Sequence, residues 1–81
     1  MDYKFSVFAG RFQIYHNAHH NVAVQGLETS DKLIIAIGTV KRAVTIENPF
    51  SYEERVSMIS AAFSKDQLKK IIFIPIRDFR L

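Results

Sequence analysis

An 81-residue chain with 48 % hydrophobic and 23 % charged residues has room for one domain and is too apolar for disorder. It has no cysteine, which removes disulfide frameworks, thiol catalysis and thiolate zinc sites. The formal charge of +3 is spread along the chain rather than gathered into a basic, aromatic-laced run, so it suits a small anion and gives no reason to expect nucleic acid. No apolar stretch approaches the roughly 20 residues that span a bilayer. Met1-Asp2-Tyr3-Lys4 also lacks the pattern of a signal peptide. A cytoplasmic protein without a membrane partner is expected.

Tyr3 to Ala9, rich in Phe and Val, reads as a first strand that delivers Gly10 to a sheet edge. Asn17 reads as the N-cap of a helix running to about Glu28, because its short side-chain oxygen can accept an orphan N–H of the first turn. His20, Ala23, Val24 and Leu27 recur at i, i+3, i+4 and i+7 and form its apolar stripe. Gly26 and the Thr29-Ser30-Asp31 cluster are expected to end it.

Lys32 to Gly38 is apolar without interruption after its first residue, as in a parallel strand covered on both faces. Thr39 to Pro49 follows as a polar, basic loop containing Lys41 and Arg42, and Asn48-Pro49 forces extended backbone before the next helix. Ser51 and Glu54 form a capping box. The helix they open carries Tyr52, Val56, Ile59 and Phe63 on one face and Glu53, Arg55 and Ser57 on the other. Ser64 to Lys70 reads as a polar connection. Ile71 to Ile76 is a third strand, in which Pro75 must lie at the end or on an edge.

This β-α-β-α-β alternation predicts an α/β, Rossmann-like parallel sheet in the strand order 3-2-1. In such sheets ligands bind beyond the carboxyl ends of the strands, which is where Gly10 falls. A strand, a glycine turn and a helix N-terminus in succession make an anion site. His16 and His19 frame that turn and can donate to phosphate oxygens, and the Arg11 fork matches phosphate geometry. His16 and His20 have the spacing of a helical zinc pair, but no carboxylate or cysteine lies nearby to complete the shell, and no metal ligands are assigned.

The run Gly10-Arg11-Phe12-Gln13-Ile14-Tyr15-His16-Asn17-Ala18-His19 resembles the G-R-F-Q-P-F-H-x-G-H signature of the nucleotidyltransferase superfamily, whose H-x-G-H element binds ATP phosphates. It is most similar to the archaeal-type NMN adenylyltransferases and to the adenylyltransferase half of bifunctional enzymes that also carry a Nudix hydrolase domain. Ile14 replaces the usual proline and Ala18 the usual glycine; neither removes a phosphate ligand. A second segment, Thr45 to Arg55, resembles the T-x-x-N-P-F-T-x-x-E-R element of the same subgroup, and Ile74 to Asp78 its third-strand exit.

The resemblance implies transfer of AMP from ATP to NMN, giving NAD and pyrophosphate, with Mg²⁺ bridging phosphates. It implies His16 and His19 as the catalytic phosphate-holding pair, with Gly10, Arg11, Phe12, Arg42, Asn48 and Arg55 on the nucleotides or their supporting loops. The later I-S-x-T-x-x-R element does not occur, so residues 1–81 are expected to form a single truncated domain, the N-terminal half of a nucleotidyltransferase. The edge of strand one is then expected to drive self-association. Nicotinate mononucleotide is left as an equal acceptor; the alternatives are another nucleotidyltransferase with a different phosphate acceptor, or a non-catalytic nucleotide-binding or interaction module.

Overall fold

The computed structural model describes residues 2–38 and 50–77. Three parallel strands, β1 (Tyr3–Gly10), β2 (Ser30–Gly38) and β3 (Ile71–Ile76), lie side by side in the order β1-β2-β3. Helix α1 (Asn17–Thr29) links the first pair; α2 (Tyr52–Ser60) and the one-turn α3 (Lys65–Leu68) precede β3. The expected α/β alternation and strand order are present, and Pro75 sits on an edge strand, where its missing N–H costs no ladder bond.

Both long helices lie on the same face. Ala23 and Leu27 of α1, with Ile59 of α2 and Phe63 beyond it, pack with Leu33, Ile35, Ile37 and Ile71 in one core. Two crossovers of the same hand that step in the same direction leave no other arrangement. On the opposite face Val7, Ile34 and Ile72 are register partners, and Phe5, Val7, Ile72 and Ile74 are exposed. The expectation that β2 is covered on both faces is thus met fully only on the helix side, where Leu33, Ile35 and Ile37 are buried; on the other, Ile34 is half-buried.

Four local readings are corrected. His16 rather than Asn17 caps α1: its backbone is extended and its N–H donates to His19 Nδ1 at 3.3 Å, so a histidine at N3 takes the part usually played by glutamate. Gly26 lies inside α1, where a Cβ would come within 2.9 Å of Leu33 Cδ1; it lets the helix approach β2 instead of ending the helix. Ser64 to Lys70 is not only a connection, because Ser64 and Gln67 form a second capping box that opens α3. Arg55 is buried, although the helical spacing had placed it on the polar face of α2.

Candidate functional site

β1 ends at Gly10 and α1 begins at Asn17; the six residues between them, with the first turn of α1, form the candidate site. Phe12 adopts the left-handed backbone region with φ 51° while its ring is 3 % exposed. That conformation is costly for a bulky side chain and is held only where its surroundings dictate it. The Phe12 ring lies edge-on to Phe8, with centroids 5.1 Å apart, and covers the space above Gly10, where a Cβ would meet Phe12 Cζ at 2.9 Å. Glycine at 10 and a buried ring at 12 therefore belong to one turn.

Above that turn the histidines gather. The rings of His16 and His19 stack with centroids 3.8 Å apart and planes 25° from parallel. Tyr15 stacks on His19 at 5.8 Å, and Phe12 meets the same imidazole edge-on at 5.3 Å. Burial, and next the charge of His16, holds the His19 pKa below the ordinary imidazole value. Its Nδ1 accepts the His16 N–H, so the neutral ring carries its own proton on Nε2 and offers a donor to an oxyanion.

His20 plays a packing role, as its sequence position suggested. Its ring lies 4.8 Å from that of Phe63, and its Nδ1 is 3.2 Å from the Tyr15 hydroxyl. Burial pushes the Tyr15 phenol up to about 12, so it stays protonated. An open cleft of about 380 Å³ beside this cluster is lined by Tyr15, His16, Asn17 and His20 from one side and Met58, Ala61 and Ala62 from the other.

Of the residues singled out from the sequence, Gly10, Arg11, Phe12, His16 and His19 thus fall within one turn and the first turn of α1. Arg11 presents an exposed side chain. Arg55 stands beneath the turn: its Nη1 donates to the carbonyls of Arg11 and Gly38, each at 2.8 Å, and its Nε to that of Ser51 at 3.2 Å. Arg42 and Asn48 lie outside the described residues. Sequence reasoning passed over Gln13, whose Oε1 accepts the Phe50 N–H at 3.0 Å and ties the site loop to the start of α2. A lone amide between Phe12 and Ile14 was the signal available for it.

Residues 7–78 match the model of the cytidylyltransferase-like family. The chain belongs to that family. Among its members, the chain is 45 % identical over 76 residues to the nicotinamide-nucleotide adenylyltransferase of Archaeoglobus fulgidus, covering 88 % of this chain and 44 % of that protein. It is 44 % identical over 78 residues to the nicotinamide/nicotinic acid mononucleotide adenylyltransferase of Acinetobacter baylyi, covering 94 % of this chain and 42 % of that one. The fold superposes with a TM-score of 0.86 and 37 % identity on a bifunctional NMN adenylyltransferase/ADP ribose pyrophosphatase of Francisella tularensis, solved with AMP and a Mn ion. That match covers 94 % of this chain and 23 % of the other. The resemblance drawn from the histidine motif stands, and the chain spans less than half the length of these cytidylyltransferase-like relatives.

Proposed function

We propose that this chain supplies the ATP-binding part of an adenylyltransferase that joins AMP from ATP to NMN, giving NAD and pyrophosphate. The observation that carries this reading is the stacked His16–His19 pair at the N-terminus of α1, directly after the Gly10–Phe12 turn, in a chain whose relatives are NMN adenylyltransferases. In-line attack of the NMN phosphate on the α-phosphorus of ATP asks little covalent chemistry of the protein. It asks that two anions be held against their repulsion and that charge on the departing pyrophosphate be stabilised. Backbone at Gly10 and Phe12 borders the nucleotide, the imidazoles of His16 and His19 donate to phosphate oxygens, and the Arg11 fork adds charge at the rim. Arg42 and Asn48 are assigned to the phosphates and to the nicotinamide-nucleotide side, and Arg55 to the loop that supports it.

A Mg²⁺ ion, when bound, neutralises phosphate charge. Among the described residues no three His, Asp or Glu gather as ligands, which suits an ion held by phosphate oxygens and water. Residues 1–81 are on this reading one incomplete nucleotidyltransferase domain. Nicotinate mononucleotide is an equal acceptor, favoured by the name of the A. baylyi relative. On its own, the chain self-associates through the β1 edge, whose outer face leaves Tyr3, Phe5 and Val7 exposed.

Titration calorimetry with ATP and with NMN, run separately, tests the proposal. Binding of both supports NAD synthesis, binding of ATP alone points to another acceptor, and binding of neither leaves a non-catalytic module.

A further inference from the structure

Arg55 is a cation with 2 % of its surface exposed, in a helix whose register would have let it point to solvent. Taking a charge out of water is costly unless hydrogen bonds replace the lost hydration. Here three of them go to backbone carbonyls: Nη1 to Arg11 and Gly38, Nε to Ser51. Those carbonyls belong to three separate pieces of chain, namely the exit of β1, the last residue of β2 and the cap of α2. One side chain therefore fastens together the two strand ends and the helix start that surround the candidate site.

The grip on Arg11 is the informative one. A trans peptide sets its C=O and N–H antiparallel, so fixing the Arg11 oxygen also fixes the direction of the Phe12 N–H, which must then face away from Arg55. Phe12 is the residue in the left-handed region. Gln13 ties the same loop to Phe50, just ahead of α2 and five residues before Arg55, so two bonds from the start of α2 converge on the strained turn. We infer that Arg55 is a positioning residue of the nucleotide cradle, holding the Arg11–Phe12 peptide in its left-handed turn so that the Phe12 N–H and the α1 N-terminus face the same anion.

This inference rests on the ATP-binding reading above, and it has a readout that does not need nucleotide. Lysine keeps the charge but cannot present the planar fork, so Arg55→Lys loses at least one carbonyl. In Arg55→Lys and Arg55→Ala the Phe12 amide resonance moves, because its peptide carbonyl has lost a donor, while resonances of α3 stay in place. ATP affinity measured by calorimetry falls about 10-fold to 100-fold in Arg55→Ala, the scale of lost bonds from a charged donor. Added guanidinium at low millimolar concentration restores most of it. Where Arg55→Ala does not fold, Arg55→Lys serves for both measurements.

A folded variant with an unmoved Phe12 amide overturns the inference, as does undiminished ATP affinity or a loss that guanidinium does not repair. A wild-type protein that binds no ATP while the Arg55→Lys shift appears contradicts the ATP-binding reading and leaves the grip on the turn standing.

Discussion

Gly10 and Phe12 hold one volume between them. Adding a methyl at position 10 places it 2.9 Å from the Phe12 ring, and because that ring is buried against Phe8 it has little room to yield. Gly10→Ala is therefore expected to destabilise the fold by about 1–3 kcal/mol, the usual cost of overpacking, measured as a lower denaturant midpoint at unchanged slope.

His19 carries a pH signature. Its pKa in the folded protein is lowered, first by burial and then by His16, so at pH values near 6.5 and below the unfolded chain binds more protons than the folded one. The unliganded protein should lose melting temperature as pH falls from about 6.5 through the lower folded-state value. A bound triphosphate favours the imidazolium, whose Nδ1 then releases the His16 N–H, so ATP binding should take up a proton and tighten over the same range. Calorimetry in two buffers of different ionisation enthalpy checks the uptake. In a protein that carries the proposed adenylyl transfer, His16→Ala should cost about 10²–10³ in kcat, the loss typical of removing one transition-state donor. At this scale the gathering of the glycine, the two histidines and Arg11 in one strand-to-helix turn was legible from their order between a strand and a helix. The burial of Arg55 was not, because helical spacing alone cannot show that backbone carbonyls wait beneath the helix to receive it.

Capping chemistry decides where α2 and α3 begin. Ser51 Oγ accepts the Glu54 N–H at 3.1 Å while Glu54 Oε1 accepts the Ser51 N–H at 2.9 Å, and Ser64 with Gln67 repeats the pattern at 3.1 and 2.8 Å. Ser51→Ala should lower stability by about 1 kcal/mol, readable as a shift of the urea midpoint. It also loosens the segment whose carbonyl Arg55 holds, so ATP affinity should weaken in the same variant. The first box was plain in the sequence; the second is identical in form but opens only four residues of helix, too short for any hydrophobic period to announce it. Gly26 misleads for a related reason. Glycine commonly follows a helix end, yet here it serves close packing against Leu33, a contact made only after β2 pairs with β1. The Ser51 cap could be foreseen because a long apolar period follows it; the His16 and Ser64 caps, equally local, lacked such a marker or the usual capping residues, and the approach at Gly26 depends on tertiary packing.

Across the whole molecule the helices cover one side of the sheet and leave Phe5, Val7, Ile72 and Ile74 on the other exposed. Alternation and crossover hand made the strand order readable, and the same two rules imply that both helices share a face, a consequence visible once the strands are placed. An apolar sheet face with an edge strand beside it should draw chains together, so gel filtration of this chain should elute ahead of monomer volume, and elution as a monomer contradicts that. Val7→Lys, which puts a charge on the edge strand of that face, should shift elution toward monomer without disturbing His16 or His19.

The central claim is that the turn from Gly10 to Phe12 and the stacked imidazoles of His16 and His19 form one seat for a triphosphate. It is tested most directly by following backbone amide and imidazole resonances during an ATP titration. Saturable shifts concentrated on residues 10–19, with the His19 imidazole moving toward its protonated form, are the predicted result. Shifts that never saturate, or that fall elsewhere while those residues stay silent, contradict it.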